Sequence, residues 1–261
     1  MAKRFDKSYK IVYNKEIRAN YFELKIEAGD VCKYCFPGQF FMISVPNVFL
    51  RRPFSICSAD VKEKCVSFLY KVVGKGTKNL SDIKLGTLQL LGPLGKGYDL
   101  KLQVGSREDR KKTDDFSNVI VAGGTGIASV YFLALRLKKR GVLYYGAKSK
   151  SDLLYMDKFM EIGWKVLVAT EDGSKGYKGY ITDMLSRRLK LNDRIFVCGP
   201  IPMLEKVLQI AKKRSVSGFA SLEAKMACGT GSCQGCAVKI DGQNKMTCKD
   251  GPVFRIEQVE L

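Results

Sequence analysis

The 261 residues include no histidine. Ser-His-Asp and Cys-His nucleophilic systems, mixed cysteine-histidine zinc sites and Rieske-type ligation are therefore all excluded, and acid-base chemistry falls to other side chains or to a cofactor. Long apolar runs are missing too. No stretch approaches the roughly 18 residues of a membrane span, and the opening MAKRFDKSYK has no apolar segment behind its charges, so a soluble cytoplasmic chain without a secretion signal is expected. There are no repeats and no low-complexity tracts. Acids are scarce, 26 against 45 Lys and Arg, for a formal charge of +19. Such a balance fits nucleic-acid phosphates, or anionic cofactors and an acidic partner. The charge is spread along the chain, and its densest run, Arg107 to Lys112, has acids inside and after it.

Nine cysteines are present, four of them in the last 34 residues. In a chain of this size without a secretion signal, metal ligation is a better use for that group than disulfides. The length suits two domains and a small appendage. Residues 1 to about 100 read as six short strands (YKIVYNKEI, YFELKIEA, QFFMISVP, FSICSAD, CVSFLYKVV and TLQLLG) separated by turn formers, which suggests an antiparallel barrel. The charged segment Ser106 to Asn118 is expected to be a solvated loop. From Asn118 apolar strands alternate with amphipathic helices, including ones over IASVYFLALRLKKRG and LLYMDKFMEIG, the pattern of a doubly wound parallel sheet. After Phe219 the chain turns Cys- and Gly-rich. The expected domains are 1–105, a barrel; 106–218, a nucleotide-binding α/β domain; and 219–261, a cluster-binding tail.

The tail cysteines are Cys228, Cys233, Cys236 and Cys248, with four, two and eleven residues between them. The first three have the plant-type ferredoxin spacing, and four thiolates hold a [2Fe-2S] cluster. Gly229, Gly231 and Gly235 permit the close backbone approach such a loop needs. A zinc site made from the same four thiols is the alternative, although its usual signature is two separated C-x2-C pairs. Cys32, Cys35, Cys57, Cys65 and Cys198 lie in or beside strand-like segments and read as buried small apolar residues.

Two further segments carry binding chemistry. Arg52, Pro53, Phe54 and Ser55 start a strand in the barrel, and Gly74 to Thr77 open a short helix soon after. Arg52 can clamp a pyrophosphate, Ser55 can hydrogen-bond a ring edge, and the free amides of the helix N-terminus attract a second phosphate charge. In the second domain VIVAGGTGIAS runs strand, turn, helix, with Gly123, Gly124 and Gly126 in the turn. Cys198, Gly199 and Pro200 make a second such turn at the last strand. Both turns fall on one sheet edge, where a nucleotide diphosphate belongs, although GxGxxG itself is absent. Glu171-Asp172-Gly173 lies on that edge too, either facing ribose hydroxyls or forming a solvated turn.

Barrel, nucleotide sheet and cluster tail in this order resemble the ferredoxin reductase superfamily. Within it, RRPFSI, LYKVVGKGT, LLGPLGKGYDL, VAGGTGIA, ATEDGS, VCGPIPML and MACGTGSCQGC followed by CKDGPVF resemble the electron-transfer subunits of type B dihydroorotate dehydrogenases, over essentially the whole length. The resemblance implies FAD held by Arg52, Pro53, Phe54 and Ser55, with Leu69, Tyr70 and Lys71 lining the isoalloxazine and Gly76 and Thr77 taking the pyrophosphate. Ser55 is expected at the reacting flavin nitrogen. It further implies NAD(H) as co-substrate and an FMN-containing catalytic subunit that oxidises dihydroorotate to orotate, in a heterotetramer of two of each. Many relatives have prolines after the Gly-rich turn, where this chain has Ala128-Ser129. Small subunits of NADH-dependent ferredoxin:NADP oxidoreductase and of sulfide dehydrogenase share the layout. An iron-sulfur redox sensor or nucleic-acid binder is the reading from another class.

Overall fold

In a computed structural model, residues 3–100 and 117–261 are described. Residues 106–116 of the charged segment lie outside them. The described residues divide into two compact units: residues up to Gly97 with Glu223–Val238 and Gln243–Pro252, and those from Tyr98 to Leu222 with Lys239–Gly242 and Val253–Leu261.

The first unit is built on β1 (Phe5–Arg18), β2 (Tyr21–Glu27), β3 (Phe40–Ile43), β4 (Arg52–Asp60), β5 (Cys65–Lys71) and β6 (Thr87–Leu94), with helix α1 (Lys75–Asp82) between the last two. The strands close into an antiparallel barrel in the order β1-β2-β5-β4-β3-β6, which leaves no edge unpaired. Alternation decides which side chains enter the core. In β1, Tyr9 and Ile11 are buried; a register shift between Ile11 and Tyr13 changes the parity and brings Asn14 inward. A buried amide needs partners. Asn14 finds them by donating to the carbonyls of Leu80 at 2.7 Å and Ile83 at 2.9 Å, which ties the end of α1 to the barrel.

The second unit holds β7 (Asn118–Gly123), α2 (Ile127–Arg136), β8 (Gly141–Ala147), α3 (Met156–Glu161), β9 (Lys165–Thr170), β10 (Tyr177–Lys178), α4 (Ile181–Arg188), β11 (Arg194–Cys198), α5 (Ile201–Arg214) and β12 (Gly218–Ser221). The tail adds β13 (Ala237–Ile240), β14 (Gln243–Met246), β15 (Val253–Arg255) and β16 (Val259–Glu260). The large sheet runs β10-β9-β8-β7-β11-β12-β15, parallel except for β15, which pairs antiparallel to β12. Strand order reverses at β7, so the switch point lies between β7 and β11, where open α/β sheets place their ligands. The Tyr98 ring packs edge-on to Phe196 and Phe219 of this sheet, at 5.7 and 6.3 Å between ring centres.

Some local expectations change. Asn118 is not in a solvated loop: it opens β7, is buried, and accepts from the Arg194 guanidinium at 2.9 and 3.1 Å. The helix expected over LLYMDKFMEIG covers Met156–Glu161 only. Leu153 and Leu154 precede it, buried, with the Leu154 amide held by the Tyr145 hydroxyl at 3.1 Å. Among the described residues, no helix is long and apolar enough to cross a membrane.

Candidate functional site

At the start of β4 the Arg52 guanidinium donates to the Leu50 carbonyl at 2.6 Å. Its side chain lies against the first turn of α1: a methyl group on Gly76 would come within 3.0 Å of Arg52 Nε. Gly76 is thus the residue that lets a cation sit beside free helix amides. Thr77 shapes this turn by accepting the amides of Val73 at 2.9 Å and Gly74 at 3.2 Å while donating to the Gly74 carbonyl at 3.1 Å. Arg52, Gly76 and Thr77, distant in sequence, therefore make one cationic cradle of the kind a pyrophosphate requires.

Ser55 is half-buried on β4, directly across from Phe40 in the β3–β4 ladder. Tyr70, one of the residues expected to line the flavin, is buried on β5. The ring is turned into the barrel, stacked on Phe22 at 5.5 Å and edge-on to Phe54 at 5.6 Å, and its hydroxyl donates to Asn14 Oδ1 at 3.0 Å. Burial holds that phenol well above its ordinary range. Leu69 is buried beside it, and the Lys71 ammonium sits over the Tyr21 ring at 4.7 Å.

The two Gly turns of the parallel sheet meet at its switch point. A methyl group on Gly126 would collide with the Cys198 carbonyl oxygen, and one on Gly123 would lie 2.7 Å from Pro200 Cδ and 2.9 Å from Met203 Sδ. A methyl group on Gly199 would crowd Met203 Cε and lie 3.0 Å from the Gly123 amide nitrogen. By contrast Gly124, at φ +52°, has open space where a side chain would be. Tyr145, which sequence reasoning missed, steadies this turn: its hydroxyl reaches the carbonyls of Gly124 at 3.1 Å and Asp152 at 3.2 Å. Its signal was only a strand tyrosine, with nothing to show what its hydroxyl reached. Asp172, on the same edge, accepts from the Ser174 amide and hydroxyl at 2.9 and 2.6 Å, a turn closed on itself.

The tail thiols come in two pairs. The amides of Thr230 and Cys233 both point at Cys228 Sγ, at 3.4 Å, and the Cys248 amide points at Cys236 Sγ, at 3.5 Å. Burial opposes ionisation of Cys228, but the amides of Cys233 and Thr230 outweigh it and lower its thiol to about 6. Burial and the neighbouring Cys236 push Cys248 up to about 12. Among the described residues, no three Cys, Asp or Glu side chains converge on a single ion position.

Cys236 and Cys248 are buried in an apolar cluster with Phe40, Met42 and Leu94 of the barrel. Backbone holds this contact together. The Lys96 amide donates to the Gly251 carbonyl at 2.5 Å, and a methyl group on Gly95 would meet Pro252 Cδ at 2.7 Å and the Gly251 oxygen at 2.8 Å. Gly229, at φ +72°, lies so near Met42 that a methyl group would stand 2.6 Å from Cγ. The other five cysteines are all buried, as expected.

Residues 223–260 match the family model of the iron-sulfur cluster binding domain of dihydroorotate dehydrogenase B, and residues 120–209 match the oxidoreductase NAD-binding domain. The chain is similar to the electron transfer subunit of NAD-dependent dihydroorotate dehydrogenase B from Fusobacterium nucleatum, at 35% identity over 95% of this chain and 96% of that one. The corresponding subunit from Caldanaerobacter subterraneus is 37% identical, covering 98% and 99%. Among solved structures, a chain of an NADH-dependent reduced ferredoxin-NADP oxidoreductase superposes with a TM-score of 0.80 at 31% identity, over 97% of this chain and 89% of that one. With identity of this order along almost its whole length, the chain belongs to the family of dihydroorotate dehydrogenase B electron transfer subunits.

Proposed function

We propose that this chain carries electrons, through FAD and a [2Fe-2S] cluster, between NAD and an FMN-containing catalytic subunit that oxidises dihydroorotate to orotate in pyrimidine synthesis. The observation that carries the reading is the packing of Cys236 and Cys248 on Phe40, the residue laddered to Ser55. It joins the strand proposed to face the flavin to the loop proposed to hold the cluster.

The residues fit these groups. Arg52 and the α1 amides around Gly76 and Thr77 neutralise a pyrophosphate; Pro53, Phe54 and Ser55 on β4 and the β5 segment Leu69, Tyr70 and Lys71 border the ring. Bound there, FAD interconverts two-electron exchange with a nicotinamide and one-electron exchange with an iron-sulfur cluster. Ser55 offers a hydroxyl that donates to the reacting ring nitrogen. Gly123, Gly124 and Gly126 with Cys198, Gly199 and Pro200 bring backbone amides up to the nucleotide diphosphate. Cys228, Cys233, Cys236 and Cys248 would hold the cluster as thiolates, and the amides aimed at Cys228 and Cys236 would stabilise negative sulfur there. Functionally we retain the division 1–105, 106–218 and 219–261. The thiolates suit a reducing compartment, which supports a cytoplasmic location.

Coexpression with the dihydroorotate-oxidising subunit tests this reading. A heterotetramer of two of each, reducing NAD with dihydroorotate only when both subunits are present, is expected; full NAD reduction by the catalytic subunit alone would contradict it. The likeness to the ferredoxin-NADP oxidoreductase chain supports a second reading, in which a different flavoprotein copurifies from the native cell.

A further inference from the structure

The second unit has an open hollow of about 890 Å³, and none of the residues named above as binding a cofactor lines it. It is lined by Lys165, Arg187, Arg188, Lys190, Lys213 and Arg214, together with Leu189, Leu191 and Ser215, and no acid lines it. Lys165 opens β9, Arg188 ends α4 and Arg214 ends α5. The cavity therefore lies at the amino-terminal edge of the parallel strands, opposite the edge that carries the Gly turns.

Helix chemistry accounts for part of this composition. Cations in a last helical turn complement the partial negative charge of free carbonyls, which suits Arg187 and Arg188 in α4 and Lys213 and Arg214 in α5. Arg214 also caps directly, donating to the Ser186 carbonyl at 2.8 Å. That account does not extend to Lys165 at a strand start or to Lys190 in the following loop, and it gives no reason for charges from three elements to converge on one hollow. Like charges gathered without counter-charge repel. Among the described residues, none of the six is ion-paired. The one counter-charge nearby among the described residues is Asp193, which accepts the Lys190 amide at 2.8 Å and attracts the Lys190 ammonium but is not part of the lining, so it leaves the other five cations unbalanced.

We propose that this cavity binds a small polyphosphate anion. The hollow is open to solvent, which suits an anion held by charge at its wall. The wall offers three guanidinium groups, whose forked donors match phosphate oxygens in pairs, and three ammonium groups as point charges. With Leu189 and Leu191 as its only apolar members, binding would rest on charge and weaken steeply with salt. The proposal is independent of the electron-transfer reading.

Inorganic tripolyphosphate is the probe, titrated calorimetrically into the cofactor-loaded protein at about 0.1 M salt with saturating NADH. One site per chain is expected. The double substitution Arg188→Ala/Lys213→Ala should weaken it tenfold or more, whereas Arg188→Lys/Lys213→Arg should keep it within threefold. Lys10→Ala/Lys62→Ala, which removes two charges from the exposed barrel surface, should leave it unchanged. Four results would each overturn the proposal: no saturable binding, loss of binding when NADH is added, equal weakening in both alanine pairs, or tighter uptake of a single-stranded oligonucleotide at many sites.

Discussion

Ser55 stands directly across the β3–β4 ladder from Phe40, and Phe40 packs against Cys236 and Cys248. One strand pair thus has the proposed flavin contact on one member and the support for the proposed cluster on the other. Ser55→Ala should separate the two roles. A hydrogen bond to a group that gains charge is worth about 1.5–3 kcal/mol, so flavin reduction by NADH should slow about tenfold to a hundredfold. Iron and sulfide content should not change. Unaltered stopped-flow kinetics would remove Ser55 from the reaction.

Gly95 combines φ +78° with a neighbour so close that a methyl group on it would stand 2.7 Å from Pro252 Cδ. Alanine there must adopt a strained backbone and displace the Gly251–Pro252 segment, at a cost of about 1–3 kcal/mol. Gly95→Ala is expected to lower the thermal midpoint by several degrees. Hydrogen exchange should quicken at Gly251 and its neighbours and stay unchanged in β8 and β9. Uniform quickening would contradict a local clamp.

Tyr145→Phe removes the hydroxyl that holds Gly124 and Asp152 and accepts the Leu154 amide. Because an unsatisfied buried polar group costs about 1–3 kcal/mol, stability should fall by that order. NADH affinity should drop several-fold, with FAD content unaltered. Equilibrium dialysis against NADH checks this, and unchanged affinity would free the Gly turn from Tyr145.

The barrel thiols give a pH signature. Burial pushes Cys32 up to about 11 and Cys35 up to about 12. Thiols raised in the folded state keep their protons longer than in the unfolded chain, so their contribution is full below the unfolded value near 9 and is lost as pH rises toward 12. The urea midpoint should stay level up to about pH 8 and decline above about pH 9. Cys32→Ala/Cys35→Ala should flatten that decline, and an identical slope in both proteins would count against the thiols.

Much of this was legible in the sequence wherever the chemistry is local. Turn formers between short alternating runs marked the six barrel strands, the thiol spacing marked the tail, and two strand-Gly-helix junctions marked the sheet edge. Effects that depend on distant partners were hidden. The bulge in β1 that turns Asn14 inward has no signature in YKIVYNKEI, so neither Asn14's hold on α1 nor the inward turn of Tyr70 could be read. Asn118 ends a charged run, and only its neighbours Arg194 and Lys139 explain why it is buried. The pairing of β15 with β12 joins residues more than thirty positions apart, and no local pattern announces it.

The most direct test is the absorbance spectrum of anaerobically purified protein before and after NADH, with iron, sulfide and flavin assayed on the same sample. We expect one FAD and one two-iron cluster per chain, both bleaching when NADH is added. Zinc in place of iron, or a protein free of flavin, would contradict the electron-transfer account.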